Sequence, residues 1–329
     1  MNLRLTILVL TLTGLLVHRP ESEAAPQGHP APQPSAAADH VILFVLEGVD
    51  RQSLKTGPMP ALSRLAKEGA ATWSAGTVTS SSRLPAMASL LTGLPVEKHG
   101  ITWDTFEFSR GYPRPPTIFD YLDLSGGRDS AIFFMDESLY QLAKPEPYTD
   151  YQVCGPLKPE CSPDRLVSYI KQYIRKADSG QGYGHAILAL PHLLVVHLPD
   201  GARAGIEHGW SSGSYRTALR SVDQAMESVL AIFKNHGLLT RTTVFVTSLS
   251  GTGAAPGQST TASTLVPWIA SGAGIKHGHA IHQPVSIVDT GATVLRALRL
   301  ETHTEWDSRA VEEIFRDAPS VATIATKGR

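Results

Sequence analysis

Three things are scarce in this 329-residue chain, and each scarcity removes a class of function. Excess charge is the first: 29 Lys and Arg face 30 Asp and Glu, for a formal net charge of −1, and no basic cluster interrupts the balance. Phosphate contacts require a basic face, so nucleic acid is not the main partner. Apolar length is the second: the N-terminal apolar stretch, residues 5–17, falls short of the roughly 20 residues that a helix needs to cross a bilayer. Cysteine is the third, with only Cys154 and Cys161, set in the Pro-rich stretch "CGPLKPEC". Two lone thiols are a poor start for a metal centre. In an oxidising compartment such a pair closes a small disulfide loop and stiffens it.

What is present gives that compartment. Arg4 supplies a positive start, residues 5–17 an apolar segment and Ser22-Glu23-Ala24 a small-residue cleavage site, so residues 1–24 read as a secretory signal. The mature chain is then expected to be secreted or periplasmic, with no membrane span after cleavage. Residues 25–39, "APQGHPAPQPSAAAD", are rich in Pro and Ala with nothing large to bury, the composition of a disordered linker. Residues 40–329 are long enough for one large α/β domain, and no second domain is needed.

Within that domain, "HVILFVL" (His40–Leu46) is a continuous apolar run of the kind found in buried parallel strands. Similar runs recur at residues 131–135, 193–198, 243–247 and 266–270. Between them, Tyr215, Leu219, Val222, Met226, Val229 and Phe233 follow spacings of three and four, which put one apolar stripe on a helix. Asp289 is placed to cap the helix of "TGATVLRALRL", and Ser212 or Ser214 the helix before it. The expected architecture is an open, mostly parallel sheet covered by helices on both faces, with functional loops at the carboxyl ends of its strands.

Residues 41–101, "VILFVLEGVDRQSLKTGPMPALSRLAKEGAATWSAGTVTSSSRLPAMASLLTGLPVEKHGI", carry a more specific signal. So do "VVHLPDGARAGIEHGWSSGSYRTALRSVDQAMESVLAIF", "TTVFVTSLSGTG", "LVPWIASGAGIKHGHAIHQPVSIVDTGATVLRAL" and "EWDSRAV". Together these segments, spanning about residues 41–315, resemble the alkaline phosphatase superfamily in its nucleotide pyrophosphatase/phosphodiesterase and sulfatase-like branches. The resemblance implies an alkaline-phosphatase-like α/β fold. It also implies a family chemistry of two zinc ions, or similar divalent metals, beside a Thr, Ser or Cys nucleophile.

The matching positions of this chain hold other residues. Glu47 stands where the family has a metal-binding Asp and Arg83 where it has the nucleophile. Ala202 and Ile206 replace an Asp and a His, Leu249 and Ser250 another Asp and His, and no His lies between His236 and His277 to serve as the last ligand. Ile206 and Leu249 have no lone pair to give, and a guanidinium stays protonated and only donates. The expectation is a secreted pseudoenzyme without nucleophile, metal or cofactor, acting as a binding domain with an anion-accepting cleft formed by Glu47, Arg83 and His208. Its partner would be a small anionic ligand or a protein. The alternatives are a phosphoester or sulfoester hydrolase rebuilt around Glu47, Arg83, Glu207 and His208, and a structural or interaction domain.

Several motifs need weighing. Arg83 precedes "LPAMASLLTG", with Pro85 near a first helical turn, so it sits at a helix N-terminus where backbone N–H groups favour anions. The simpler reading is that Arg83 neutralises Glu47, because buried charges are commonly paired. "GWSSG" (209–213) matches the G-x-S-x-G nucleophile motif, but ten residues separate Leu198, the end of the preceding apolar run, from Gly209, so Ser211 is not directly behind a strand. His277, His279 and His282 in "KHGHAIH" could bind zinc or copper, yet no carboxylate or thiol is expected to accompany them and the stretch resembles a loop of the family frame outside its active site, so a solvated loop is expected. "GTGAAPG" (251–257) precedes no helix pattern and is no dinucleotide fingerprint.

Overall fold

A computed structural model describes residues 38–78, 82–143, 149–150, 161–180, 182–183, 186–187, 189–253 and 263–317. Every described residue belongs to one compact unit, Ser35–Arg329. The expected signal at 1–24 lies outside the described residues. So does most of the linker, and so does Cys154, hence the Cys154–Cys161 pairing; Cys161 itself is partly buried against the core.

In chain order the elements are β1 (His40–Leu46), α1 (Ser53–Thr56), α2 (Pro60–Glu68), β2 (Ala70–Gly76), α3 (Arg83–Thr92), α4 (Val96–His99) and α5 (Ile118–Leu124). There follow β3 (Ser130–Phe133), β4 (Thr149–Asp150), α6 (Pro163–Asp178), β5 (Gly182–Tyr183), β6 (Ala186–Ile187), β7 (Leu193–Leu198) and α7 (Asp200–His208). The last are α8 (Gly213–Asn235), β8 (Thr242–Ser248), β9 (Leu265–Gly272), β10 (His279–Ala280) and α9 (Asp289–Ala297). Eight strands form the main sheet in the order β10-β2-β9-β8-β1-β7-β3-β4. Among the described strands of this sheet only β9 runs against the others. The class is therefore the expected one, α/β with a mostly parallel central sheet and helices on both faces.

Alternation along the strands builds two cores. On β1, Val41, Leu43 and Val45 face one side and Ile42, Phe44 and Leu46 the other, all of them buried. The first face packs against α3, α5 and α9 through residues such as Met87, Leu90, Leu122 and Leu295. The second packs against α2, α6 and α8, where Tyr215, Leu219, Val222, Met226, Val229 and Phe233 form the expected stripe. Ser212 caps α8 by accepting from Tyr215 N at 3.0 Å. Asp289 does not cap α9 as expected. It is the first residue of that helix, and its carboxylate accepts from Ser286 N and Arg309 N, tying two loops to the helix start.

The topology sets three strand ends side by side, because β1, β7 and β3 are neighbours in the sheet. Val45 pairs with His197 and Phe133 with Val196. Glu47, which directly follows β1, is thereby brought close to His197 near the end of β7 and to Asp136 just beyond β3. The period-two alternation aims positions 45 and 47 at the face covered by α3, whose first residue is Arg83.

Candidate functional site: an ion-pair network at the strand ends

Arg83 reaches from the start of α3 into the strand-end cluster and spends its guanidinium there. Its Nε donates to Glu47 Oε1 at 2.5 Å and its Nη2 to Glu47 Oε2 at 3.0 Å, a bidentate pair. Its Nη1 donates to Asp136 Oδ2 at 2.7 Å. His197 Nε2 makes a second contact to Glu47 Oε1, at 2.7 Å. Arg203, on α7, donates through Nη2 to Met135 O at 2.5 Å and to Asp136 Oδ2 at 3.4 Å. The other oxygen of Asp136 accepts from the N and Oγ of Ser138.

Burial sets the protonation states. The Glu47 side chain is 6% exposed and that of His197 0%. Burial alone would raise the Glu47 pKa, but the hydrogen bond to His197 and the charge of Arg83 outweigh it and hold the carboxyl below its ordinary range. Burial, helped by Arg83, pushes His197 down, so its imidazole is neutral. Its Nδ1 is buried with no hydrogen-bond partner, the position left for the lone pair when Nε2–H donates to Glu47. Asp136 is likewise lowered: burial opposes, and the charge of Arg83 wins.

Two further acids border the network. Asp104 Oδ1 accepts from Leu84 N at 2.7 Å, so the first turn of α3 is already served by a carboxylate of the protein. Burial pushes Asp104 upward. Asp200, in the first turn of α7, has a buried Oδ2 without a partner and is also raised by burial. The anion expected at the start of α3 therefore meets donors committed elsewhere: Leu84 N to Asp104, and three of the Arg83 nitrogens to Glu47 and Asp136.

The remaining predicted positions knit the backbone around Glu47. Ala202 N donates to Glu47 O at 3.0 Å, Leu249 N to Leu46 O at 2.8 Å, and Gly48 N to Ser250 O at 2.9 Å. Gly48 takes φ +70, and a Cβ there would lie 2.6 Å from Ala202 N, so only glycine lets α7 come this close. Ala202 and Leu249 are buried, while Ile206, one turn along α7, is 67% exposed. Asp50 ties the loop after β8 to the loop after β1, accepting from Thr252 N and Oγ1.

His208 does not join this group. It is exposed at the end of α7, with its Nε2 3.7 Å from Glu207 Oε1. The constellation of Glu47, Arg83, Glu207 and His208 is thus split, because the last two lie on the outer, C-terminal turn of α7. Ser211 directly precedes the Ser212 cap of α8, between two helices, and does not follow a strand. The expectation for the histidine loop also needs correcting. His279 and His282 are accompanied by a carboxylate, that of Glu313, which lies 34 residues beyond His279 in sequence and was therefore invisible to local spacing.

The sequence of residues 41–317 matches the family described as type I phosphodiesterase / nucleotide pyrophosphatase. The chain belongs to that family. Its fold is also that of solved members. Human ectonucleotide pyrophosphatase/phosphodiesterase 5 superposes with a TM-score of 0.65 at 13% identity, covering 84% of this chain and 100% of that one. An inactive variant of the murine protein in complex with AMP gives 0.62 at 13% identity over the same shares. A putative sulfatase from Bacteroides thetaiotaomicron gives 0.62 at 13% identity, covering 84% of this chain and 74% of that one. No curated protein matches the chain by sequence. Among the described residues no helix is long and apolar enough to cross a membrane.

The donor set at the strand ends does not fit the two zinc ions that the superfamily resemblance implies. A zinc shell needs convergent lone pairs from imidazole, carboxylate or thiolate. Here both oxygens of Glu47 accept from Arg83, a permanent cation lies against that carboxylate, and Leu249 and Ala202 offer hydrocarbon. Sequence reasoning missed His197 and Asp136. Each carried a signal: a lone histidine inside the apolar strand "LLVVHL", and an acid directly after "AIFFM".

Proposed function

We propose that this member of the type I phosphodiesterase / nucleotide pyrophosphatase family is a non-catalytic binding domain acting outside the cytoplasm. The observation that carries this reading is the pairing of Arg83, which the family resemblance sets at the nucleophile position, with Glu47 and Asp136. A guanidinium cannot attack phosphorus or sulfur, and it neutralises the carboxylate that would otherwise hold a metal. The Glu47–His197 pair has the composition of a general base, but the complete burial of His197 keeps it from any substrate. Extracytoplasmic action is supported by the composition of residues 1–24 and by the cysteine pair.

A small anion would meet this cleft at its rim. Arg203 is the cation there, with its side chain 38% exposed, followed by the outward part of Arg83 at 22%. His208 lies further along α7, and Ile206 adds an exposed apolar surface. Deep burial of the anion against Glu47 is opposed by charge, since Glu47 and Asp136 are both held ionised.

The test is an activity panel of an aryl phosphate, an aryl phosphodiester and an aryl sulfate on the mature protein, with and without added zinc or manganese. No turnover above buffer is expected. Turnover that disappears in Glu47→Gln would overturn the reading and restore the rebuilt-hydrolase alternative. Inorganic phosphate and sulfate, followed by thermal shift, probe the rim, where Arg203→Ala should remove any stabilisation they give.

A further inference from the structure

A second, chemically distinct group lies at the other side of the sheet, where β10 pairs with β2 at its edge. His279 Nε2 is 2.9 Å from Glu313 Oε2, and His282 Nδ1 is 3.5 Å from the same oxygen. The three ligand atoms all lie within 4.8 Å of one another, and among the described residues no other group of His, Cys, Asp and Glu converges in this way. Zinc bonds of about 2.0–2.2 Å at tetrahedral angles place neighbouring ligand atoms about 3.3 Å apart. The two observed separations bracket that spacing, so a metal could enter with small side-chain rotations.

The ligands are also held from behind. Glu313 Oε1 accepts from His282 N at 3.1 Å and Gln283 N at 2.8 Å, which fixes the carboxylate, while Oε2 faces the two rings and also accepts from His282 N at 3.3 Å. His279 sits on β10, whose flanks are bound to β2 by His279 N to Gly69 O and Ile281 N to Ala71 O. Glu313 lies in the helical turn Glu312–Ile314, which is anchored by Lys276 N to Ile314 O and by the buried side chains of Ile314 and Phe315. Outer hydrogen bonds of this kind orient metal ligands. His282, with its side chain 77% exposed, leaves one side open to solvent.

We propose that His279, His282 and Glu313 form a zinc site with an open fourth position, which clips the segment around Glu313 to the edge of the sheet. Two imidazoles and one carboxylate with an open fourth position are a ligand set that zinc takes. The site is independent of the strand-end network, shares none of its residues, and does not depend on whether that network is catalytic.

Zinc chloride titrated into metal-stripped mature protein against a chromophoric chelator tests this directly. The expected result is one saturable equivalent, accompanied by a rise in melting temperature that excess chelator reverses. His282→Ala, a change at an exposed side chain that leaves folding intact, should abolish both the uptake and the rise. His279→Ala and Glu313→Gln should do the same, while His277→Ala should change neither. Absence of saturable uptake by the wild-type protein overturns the proposal, as does an equivalent of zinc retained undiminished by His282→Ala and His279→Ala.

Discussion

Replacing Arg83 by Met keeps most of the side chain's packing and removes its charge, which isolates the electrostatic part of the strand-end network. The Glu47 carboxylate would then be left 6% exposed with only His197 beside it. Unit charges about 4 Å apart interact by about 4 kcal/mol at an effective dielectric of about 20. Against this stands the desolvation of Arg83, which the substitution relieves. The Asp136 arm adds little, because both partners are about one-fifth exposed and solvent screens them. Loss of one partner from a buried pair typically costs about 3–5 kcal/mol, and we expect Arg83→Met to fall there. Glu47→Gln together with Arg83→Met should recover part of that loss, since no buried charge is then stranded.

Urea unfolding of the wild type, both single variants and the double variant gives the coupling energy. The pH dependence provides a second check. In the wild type the folded pKa of Glu47 is depressed, so its contribution is present above the unfolded value of about 4.3 and is lost as pH falls through the folded pKa. Without Arg83, burial is opposed by His197 alone, and we expect the folded pKa to rise above the unfolded value, so that Glu47 takes up a proton on folding. The deficit of Arg83→Met should therefore shrink as pH drops from 7 towards 5. Additive single losses, or a deficit that does not change with pH, would refute the pairing as the source of the stability.

Three other outcomes can be checked with the same protein. His99 is buried, its Nδ1 accepts from Ile101 N, and burial lowers its pKa to about 4; it folds neutral, so stability should fall as pH drops from about 6.5 to about 4, and His99→Gln should flatten that slope in acid unfolding curves. The Asp223 carboxylate on α8 accepts from Ala61 N and Leu62 N at the start of α2, so Asp223→Ala should cost about 1–2 kcal/mol in urea unfolding, and no change would show the cap to be idle. In the His282→Ala background elemental analysis should find no zinc, because the strand-end cleft has no competent shell; a stoichiometric metal there would contradict the non-catalytic reading.

The parts of this fold legible in the sequence are those that burial writes into consecutive residues. β1 and β7 run over the stretches that their apolar runs mark, His40–Leu46 and Leu193–Leu198, because strands covered on both faces must be hydrophobic throughout. The direction of β9 was not legible: residues 266–270 announce a buried strand, but an apolar run carries no sign for parallel or antiparallel pairing. The Glu47–Arg83 pair could be foreseen because the family resemblance puts both positions in one cavity. His197 and Asp136 could not, since their role depends on β1, β7 and β3 being neighbours in the sheet. Glu313 was hidden for the same reason, being brought to His279 by the return of the chain from α9.

Charge balance accounts for the way a family frame persists around an altered centre. The strand ends of β1, β7 and β3 bring Glu47 and Asp136 near each other, and burying the Glu47 carboxylate without a cation is strongly unfavourable. A guanidinium supplied from the start of α3 meets that need permanently, with bidentate geometry towards Glu47 and a third nitrogen for Asp136. With that cation covalently part of the chain, Ala202, Leu249 and Ser250, which the family resemblance sets at ligand positions, need offer no lone pairs to balance the charge. They are free to serve packing and backbone hydrogen bonding, which is how they are used here. Arg83, which the family resemblance sets at the nucleophile position, thus supplies the charge that stabilises Glu47 and Asp136. Arg83 is therefore the position at which this domain should be least tolerant of neutral replacement, and Glu47 should tolerate neutralisation only when Arg83 is neutralised with it.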